Sequence, residues 1–302
     1  MSKTVKLTMA QALIKAMSRQ MTVIDGETLP LFAGVWAIFG HGNVAGLGEA
    51  LYAERATLPT LRAHNEQAMA HAGIAFAKAA RRRRLMAATT SIGPGATNMV
   101  TAAALAHVNR LPILLLPGDV FAGRAPDPVL QQIEQFGDGT VSANDCFRPV
   151  SRYFDRITRP EQIIPAFERA MAVLTDPAEC GPVTLSLCQD VQAEAFDCPL
   201  SFLEQRIWTP RRPGPDHTEL KSAASRLLTA QKPLVIIGGG VLYAEAEQQV
   251  QAFCEKHGIP MAVTQAGKGA IADDHPLMMG ALGVTGTKAA NSLAKEADVV
   301  LA

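Results

Sequence analysis

One carboxylate stands where a helix is predicted to begin, in surroundings that suit acid–base chemistry. The residue is Glu66, in the segment His64-Asn65-Glu66-Gln67, and small or apolar side chains recur along the helix that follows. A carboxylate in an apolar, closely packed setting can favour its protonated form and share a proton with a ring nitrogen of a ligand. An acidic residue that merely complements the helix dipole would look the same, and this segment taken alone favours that ordinary interpretation.

Two glycine-containing loops follow predicted strands and leave room for a ligand. In residues 90–98, Gly93-Pro94-Gly95 predicts a tight turn that admits a flat ligand and directs the amides of the next helix towards it. Residues 40–43, Gly-His-Gly-Asn, also follow a strand, at the edge where open α/β sheets bind ligands. Either loop could be an ordinary turn. Three segments that converge on one sheet edge are a stronger signal than any one of them.

The elements that must position these segments alternate between buried strands and helices. Strands are predicted at residues 35–39, 85–90 and 111–116, and helices at 8–19, 66–80 and 96–108. Apolar strands that alternate with helices of this length indicate a parallel sheet covered on both faces. The predicted fold class is therefore α/β, with a doubly wound parallel sheet.

A second α/β pattern begins after a Pro-rich segment, Trp208 to Pro215, which predicts a linker. The pattern consists of helix 218–229, strand 234–237, three glycines at 238–240, helix 244–257 and strand 260–264. At about 85 residues it is shorter than a usual doubly wound domain. The apolar residues Val299 to Ala302 predict one more strand with no turn after it, so we expect a truncated Rossmann-like domain.

Composition excludes several classes of protein. The 302 residues carry 28 Lys and Arg against 28 Asp and Glu, and 48% are hydrophobic, which indicates a folded chain with no electrostatic attraction to nucleic acid or to an anionic membrane. No apolar run is long enough to span a bilayer, and the N-terminus lacks a signal peptide. The five cysteines form no C-x-x-C pair, which favours a reducing cytoplasm over disulfides or zinc.

These motifs together resemble thiamine-diphosphate enzymes of the acetolactate synthase type. The resemblance is carried by Phe-Gly-His-Gly at 39–42, residues 64–67 and 90–98, Leu-Pro-Ile at 111–113 with Pro-Gly-Asp at 117–119, and, after the linker, the motifs at 238–240, 258–260, 267–269 and 275–280. It implies a pyrimidine-binding domain at residues 1–200, a Pro-rich linker at 201–217 and a truncated central domain at 218–302. The C-terminal domain that binds the diphosphate and Mg²⁺ is expected to be absent.

The resemblance also implies site residues and cofactors. Glu66 matches the glutamate that hydrogen-bonds N1′ of the aminopyrimidine of thiamine diphosphate. The family places Pro94, Gly95 and Asn98 beside that ring, and Gly40, Gly42 and Asn43 near the reacting carbon. His41 is expected to move protons there, because imidazole titrates near neutral pH. Gln131 matches an active-site glutamine only loosely, since Gln132 follows it where the synthases have glutamate. Mg²⁺ is expected as second cofactor, with no metal ligand in this chain.

Three residues that differ from the synthases resemble most the ring-opening hydrolases of inositol catabolism. They are Asn65 before Glu66, Ile92 within the glycine turn, and His41 in its loop. That branch implies C–C cleavage of a small, polyol-derived cyclic dione, giving 5-deoxy-glucuronate, in a homodimer or homotetramer. Two alternatives stay open. The chain could belong to an acetolactate synthase-like carboligase or decarboxylase, or be a non-catalytic split subunit that needs a partner chain.

Several features are interpreted as structural. Gly137-Asp138-Gly139 imitates a Mg²⁺ motif, but no apolar strand precedes it, so it predicts a surface turn. Arg81 to Arg84 predict a solvated helix end. The glycines at 238–240 do not match G-x-G-x-x-G, which leaves nucleotide binding open. The small residues Ala68, Ala72 and Ala75 fit either a subunit boundary or internal packing.

Overall fold

The computed structural model describes residues 3–209 and 211–302, and the chain divides between Arg211 and Arg212 into two compact units. The strands described in the first unit are β1 (Thr4–Thr8), β2 (Gln20–Ile24), β3 (Glu27–Pro30), β4 (Phe32–Ala37), β5 (Thr60–Arg62), β6 (Leu85–Thr90), β7 (Ile113–Asp119), β8 (Tyr153–Ile157), β9 (Pro182–Cys188), β10 (Ala195–Pro199) and β11 (Arg206–Trp208). Its α-helices are α1 (Met9–Ser18), α2 (Glu49–Ala53), α3 (Glu66–Ala79), α4 (Pro94–Thr97), α5 (Val100–Asn109), α6 (Ile163–Leu174) and α7 (Gln189–Ala193).

The centre of the first unit is a six-stranded parallel sheet in the order β5-β4-β6-β7-β9-β8. Every residue of β6, β7 and β9 is buried, which explains why these strands read as continuous apolar runs rather than as alternating patterns. The predicted α/β class with a parallel sheet is confirmed. The carboxyl ends of β4, β6, β7 and β9 lie along one edge, and the loops that follow them carry the candidate site.

Local sequence signals fix where the helices begin. The side chain of Asn65 accepts a hydrogen bond from the backbone N–H of Ala68 at 2.8 Å, which caps α3 and makes Glu66 its first residue. Thr8 and Gln11 form a reciprocal capping box at the start of α1. The predicted helices at 8–19 and 66–80 therefore agree with α1 and α3 to within one residue at each end.

One predicted helix is two helices in the structure. Residues 96–108 were predicted as a single helix, but α4 ends at Thr97 and α5 begins at Val100. The backbone N–H of Met99 donates to the carbonyl of Ala96, a tighter bond than the regular helical ladder, and this break sets Asn98 apart. Strand β7 extends past its predicted end at residue 116, because Gly118 and Asp119 pair with the end of β9.

The predicted linker starts too early. Within residues 201–217, Arg206–Trp208 form β11, which pairs in parallel with β2, and the indole N–H of Trp208 donates to Oε1 of Gln20 at 2.9 Å. A strand of three residues is too short to show an alternating pattern, which is why the sequence gives no sign of it. The three-stranded sheet β11-β2-β3 and the two-stranded sheet β1-β10 complete the first unit.

The second unit is a smaller α/β structure. Its described strands are β12 (Pro233–Ile237), β13 (Met261–Val263), β14 (Met278–Ala281) and β15 (Val299–Leu301), and its α-helices are α8 (His217–Thr229), α9 (Gly239–Ala244), α10 (Glu247–His257) and α11 (Lys288–Glu296). The strands form one parallel sheet in the order β14-β13-β12-β15. The predicted helix at 244–257 is wrong at its start, because Glu245 adopts φ 53° and separates α9 from α10.

Surface features of the first unit also bear on the sequence predictions. Arg81 to Arg84 are half-buried rather than solvated: Arg82 donates to the carbonyl of Asn109, and Arg84 to that of Pro30.

Ala68 and Ala75 are exposed and Ala72 is half-buried, so internal packing does not explain this row of small residues. Among residues 3–209 and 211–302, no helix is long and apolar enough to cross a membrane.

Candidate cofactor and active site

Glu66 and Asn98 meet at the carboxyl edge of the sheet, although 32 positions separate them in the sequence. Nδ2 of Asn98 donates a hydrogen bond to Oε2 of Glu66 at 2.8 Å, which orients the carboxylate and leaves Oε1 without a hydrogen bond from the described residues. A Cβ atom on Gly95 would lie 3.4 Å from Oε1 of Glu66 and 2.5 Å from Oγ of Ser91. Gly95 is buried, and its missing side chain lets Ser91 and Glu66 approach its backbone closely.

The glycine turn before α4 is shaped by a steric constraint. Gly93 has φ +60°, and a Cβ atom there would collide with the backbone carbonyl oxygen of Gln131. Pro94 occupies the first turn of α4, where its missing N–H is not needed. The structure thus brings the backbone of Gln131 against the turn, whereas the side chain of Gln131 is exposed. Its role in cofactor binding stays a prediction.

The loop that carries His41 packs backbone to backbone against its neighbours. Gly42 has φ +102°, and a Cβ atom there would collide with the side chain of Ile92. The backbone N–H of Ile92 donates to the carbonyl of His41 at 3.2 Å, and a Cβ atom on Gly118 would lie 2.9 Å from the carbonyl oxygen of Gly42. A Cβ atom on Gly40 would lie 3.1 Å from Cβ of Ser91. The loop after β4 therefore rests on the loops after β6 and β7.

Asn43 holds this loop in place. Its Oδ1 accepts from the backbone N–H of Gly40 at 3.0 Å, and its Nδ2 donates to the carbonyl of Ile38 at 3.1 Å and to Oγ1 of Thr89 at 3.2 Å. The side chain is 1% exposed. Both donor hydrogens are used within the protein, so this side chain holds the loop, and the place of Asn43 near the reacting carbon stays a prediction.

His41 has an unmet hydrogen-bonding atom. Its Nδ1 is buried and has no partner among the described residues. The Nε2 atom of Gln189, whose side-chain oxygen would lie 3.6 Å from a Cβ atom on Gly42, is likewise buried and unpaired. Buried polar atoms in folded proteins nearly always have a partner, so two of them around one loop mark a place where a ligand or water belongs.

A buried polar network lies next to the site and carries no motif in the sequence. Asp119, 1% exposed, accepts hydrogen bonds at 2.6–2.8 Å from the backbone N–H of Val120, from Oγ of Ser142 and Ser186, and from Nε of Arg156. Burial lowers the pKa of Arg156, but the charge and hydrogen bond of Asp119, together with Cys188, outweigh burial and raise that pKa. Asp119 and Ser142 lie at the two ends of the segment that carries Gln131. The network therefore ties down both ends of that segment.

The imitation of a Mg²⁺ motif at residues 137–139 is a surface turn, as predicted. Asp138 is exposed, and its Oδ1 accepts from the hydroxyl of Thr140 at 2.6 Å and from the backbone N–H of the same residue at 2.9 Å. These bonds lower the pKa of Asp138. Its carboxylate is thus occupied by its own turn.

The five thiols are free, and four of them are buried. Burial raises the pKa of Cys188 to about 12 and that of Cys254 to about 11. No group of three or more Cys, His, Asp or Glu side chains suited to a metal ion occurs within residues 3–209 and 211–302.

Comparison with known proteins gives two family matches and a set of close relatives. Residues 33–138 match the thiamine pyrophosphate enzyme N-terminal TPP binding domain, and residues 220–302 match the thiamine pyrophosphate enzyme central domain. A 3D-(3,5/4)-trihydroxycyclohexane-1,2-dione hydrolase of Geobacillus thermodenitrificans (strain NG80-2) is 51% identical over 298 residues, which are 99% of this chain and 47% of the relative. The hydrolase of the same name from Bacillus cereus (strain AH820) is 50% identical over 299 residues, 99% of this chain and 46% of the relative.

The chain spans about half the length of these curated relatives. Its first family match contains the three segments that meet at the sheet edge, including Glu66 and Asn98. The second match contains the whole described sheet of the smaller unit. The chain belongs to the thiamine pyrophosphate enzymes, of which it carries the N-terminal cofactor-binding domain and the central domain.

Proposed function

We propose that this chain forms the pyrimidine-binding half of a hydrolase that uses thiamine diphosphate to open the ring of 3D-(3,5/4)-trihydroxycyclohexane-1,2-dione by C–C cleavage. The observation that carries the proposal is the Glu66 carboxylate, which Asn98 orients at the carboxyl edge of the sheet while its Oε1 atom stays available to a ligand. The sequence identity of 50–51% to hydrolases of that name supports the choice of substrate.

The residues present fit an aminopyrimidine ring. A ring nitrogen needs a partner that can share a proton, and Oε1 of Glu66 accepts no hydrogen bond from the described residues. Glu66 is half-buried, so a ligand can reach its carboxylate. A carboxylate that is already oriented suits a nitrogen heterocycle better than an aliphatic ligand.

Thiamine diphosphate, when bound, supplies a nucleophilic thiazolium carbon and an electron sink for C–C cleavage. In this proposal, Glu66 shares a proton between its Oε1 atom and the pyrimidine nitrogen N1′, while Asn98 keeps Oε2 fixed. The part of His41 is to exchange a proton with the substrate, since the loop that carries it lies at the carboxyl edge of the sheet. Gly40 and Gly42 allow this loop to pack closely against Ser91 and Ile92.

Further proposals concern the complete enzyme. Mg²⁺ would bind with the diphosphate through the half of the enzyme that residues 1–302 do not cover. The enzyme would be a homodimer or homotetramer in the cytoplasm, without nucleic-acid or membrane partners. The exposed small residues Ala68 and Ala75 on α3 support close approach of another chain, because internal packing does not use them.

The test joins residues 1–302 to the remaining half of the Geobacillus hydrolase and measures ring opening with thiamine diphosphate and Mg²⁺. Glu66→Gln keeps the shape of the side chain but cannot exchange the proton, so we expect kcat/KM to fall by about 100-fold or more. Glu161→Gln, an exposed residue on another part of the unit, is the matched control and should leave kcat/KM unchanged.

Two results would contradict the proposal. Full activity in the Glu66→Gln enzyme would exclude the assigned role of the carboxylate. Turnover of pyruvate but not of the cyclic dione would favour the carboligase alternative. We expect the 302-residue chain alone to show no turnover and weak cofactor binding, and Mg²⁺-dependent binding in the micromolar range by calorimetry would refute that expectation.

A further inference from the structure

A buried glutamine far along the chain is bonded to the loop that carries His41. Gln192 lies in α7, after β9, and is 1% exposed. Its Nε2 donates to the carbonyl of Gly42 at 2.6 Å and to the carbonyl of Leu187 at 3.1 Å, and its Oε1 accepts from the backbone N–H of Leu47 at 3.3 Å. One side chain therefore joins both ends of the loop to the last residues of β9.

The pattern of donors and acceptors requires a carboxamide. Two carbonyl oxygens face Nε2, and one N–H faces Oε1, so every hydrogen-bonding group of the side chain except one lone pair is used. Glutamate would place an oxygen against two carbonyl oxygens, and methionine would leave all three backbone groups without their partner. A Cβ atom on Gly46 would lie 2.5 Å from Cβ of Gln192, so the loop fits closely around this side chain.

Other contacts hold residues 41–43 of the loop, where His41 bonds to Ile92 and Asn43 makes three hydrogen bonds, but the tip of the loop is exposed. Gly40, Gly42, Gly46 and Gly48 give residues 40–48 a flexible backbone, and Val44 and Ala45 are exposed. Asn43 holds the start of the loop, and residues 44–48 form a single turn of π-helix. A bond to the carbonyl of Gly42, the residue that follows His41, restricts the peptide that sets the direction of the imidazole.

We propose that Gln192 is a positioning residue: it fixes residues 40–48 on the end of β9 and thereby sets the position of His41 in the site. The proposal rests on the proposed function, because His41 matters only if that loop lines the active site. Gln192 itself touches the loop backbone and not the reacting atoms.

The experiment compares Gln192→Glu and Gln192→Met with Glu194→Gln in the 302-residue chain, without cofactor. Glu194 follows the same short helix directly, and its exposed side chain makes no hydrogen bond with the described residues, so its replacement is the matched control. Amide exchange is followed by mass spectrometry for the peptide covering residues 40–48. We expect exchange about tenfold faster in both Gln192 variants, since at least one bond of ordinary strength is lost, and no change in the control.

A spectroscopic measurement separates positioning from a general loss of stability. The imidazole signal of His41, assigned by its disappearance in His41→Gln, should shift or broaden in Gln192→Glu while the signals of the other six histidines stay in place. Exchange in α3 and β6 should also be unchanged. Faster exchange spread evenly over the first unit, or an unaltered His41 signal, would overturn the proposal.

The wild-type chain provides a test if the variants do not fold. Because Oε1 of Gln192 accepts from the N–H of Leu47, that amide should exchange as slowly as those of the buried strand β6. Exchange at the rate of the exposed residue Val44 would refute the contact. None of these measurements needs thiamine diphosphate, so they can fail while dione turnover succeeds, or succeed while turnover fails.

Discussion

The buried pair of Asp119 and Arg156 allows a quantitative prediction about the stability of the first unit. Replacement of Asp119 by leucine removes the acceptor of four hydrogen bonds and leaves the guanidinium of Arg156 without its 2.7 Å partner. Loss of one partner of a buried pair costs about 3–5 kcal/mol. Because 19% of the Arg156 side chain is exposed, water relieves part of the charge, and we expect about 3 kcal/mol.

Replacement of Arg156 should lower the free energy of unfolding by less than replacement of Asp119. In Arg156→Met, the carboxylate of Asp119 keeps three donors, namely the N–H of Val120 and the hydroxyls of Ser142 and Ser186. The loss is then close to that of one charge-assisted hydrogen bond, about 1.5–3 kcal/mol. In the double variant no charge is left without a partner, so its cost should fall below the sum of the two by about 1.5 kcal/mol or more.

Urea unfolding followed by tryptophan fluorescence measures these differences. Both tryptophans, Trp36 and Trp208, lie in the first unit, so the signal reports on that unit. Glu168→Ala serves as the control, because it breaks the half-exposed pair of Glu168 with Arg206 and should cost less than about 1 kcal/mol. The reasoning fails if Asp119→Leu costs less than about 1 kcal/mol, or if the two substitutions are additive within about 0.5 kcal/mol.

Three further predictions concern other parts of the chain. Gly93→Ala should destabilise the first unit by about 2 kcal/mol, because of its positive φ and the collision with Gln131, whereas Gly137→Ala, with no atom within 4 Å, should leave the urea midpoint unchanged. Iodoacetamide at pH 8 should alkylate the half-buried Cys146 before the four buried thiols, as peptide mass spectrometry would reveal; early labelling of Cys188 would contradict the pKa of about 12. Backbone hydrogen bonds lower the pKa of Asp298, so its stabilising effect is present above its ordinary pKa of about 4 and is lost as pH falls below it. Asp298→Asn should therefore weaken the acid dependence of the second unit, measured by amide exchange in β12; an unchanged dependence would exclude this role.

The sequence predicts helices and strands well where a local pattern of residues determines them. Strand β6 was predicted to the residue, and α3 to one residue, since buried apolar runs and a capping asparagine are local signals. The meeting of Glu66 with Asn98 also follows, because loops after parallel strands share one edge. The break before α5 was not predicted, because residues 97–101, Thr-Asn-Met-Val-Thr, contain no glycine or proline that would mark the end of a helix.

The residues that hold the site are less visible in the sequence than those that act in it. Gln192 bonds to Gly42 across 150 positions, and Asp119 bonds to Ser186 across 67. Neither pair has a regular spacing or belongs to a known motif, so the sequence alone does not reveal these contacts. The three hydrogen bonds by which the side chain of Asn43 holds its own loop are likewise not visible in the sequence.

The site owes its shape to side chains that are missing as much as to those that are present. A Cβ atom on Gly42 would push the loops after β4 and β6 apart, one on Gly118 would crowd the carbonyl of Gly42, and one on Gly95 would collide with Ser91. Backbones that approach so closely have no side chains between them to fix their positions. The polar side chains of Asn43 and Gln192 must then supply that constraint, which is why both are buried and both bond to backbone atoms of the same loop.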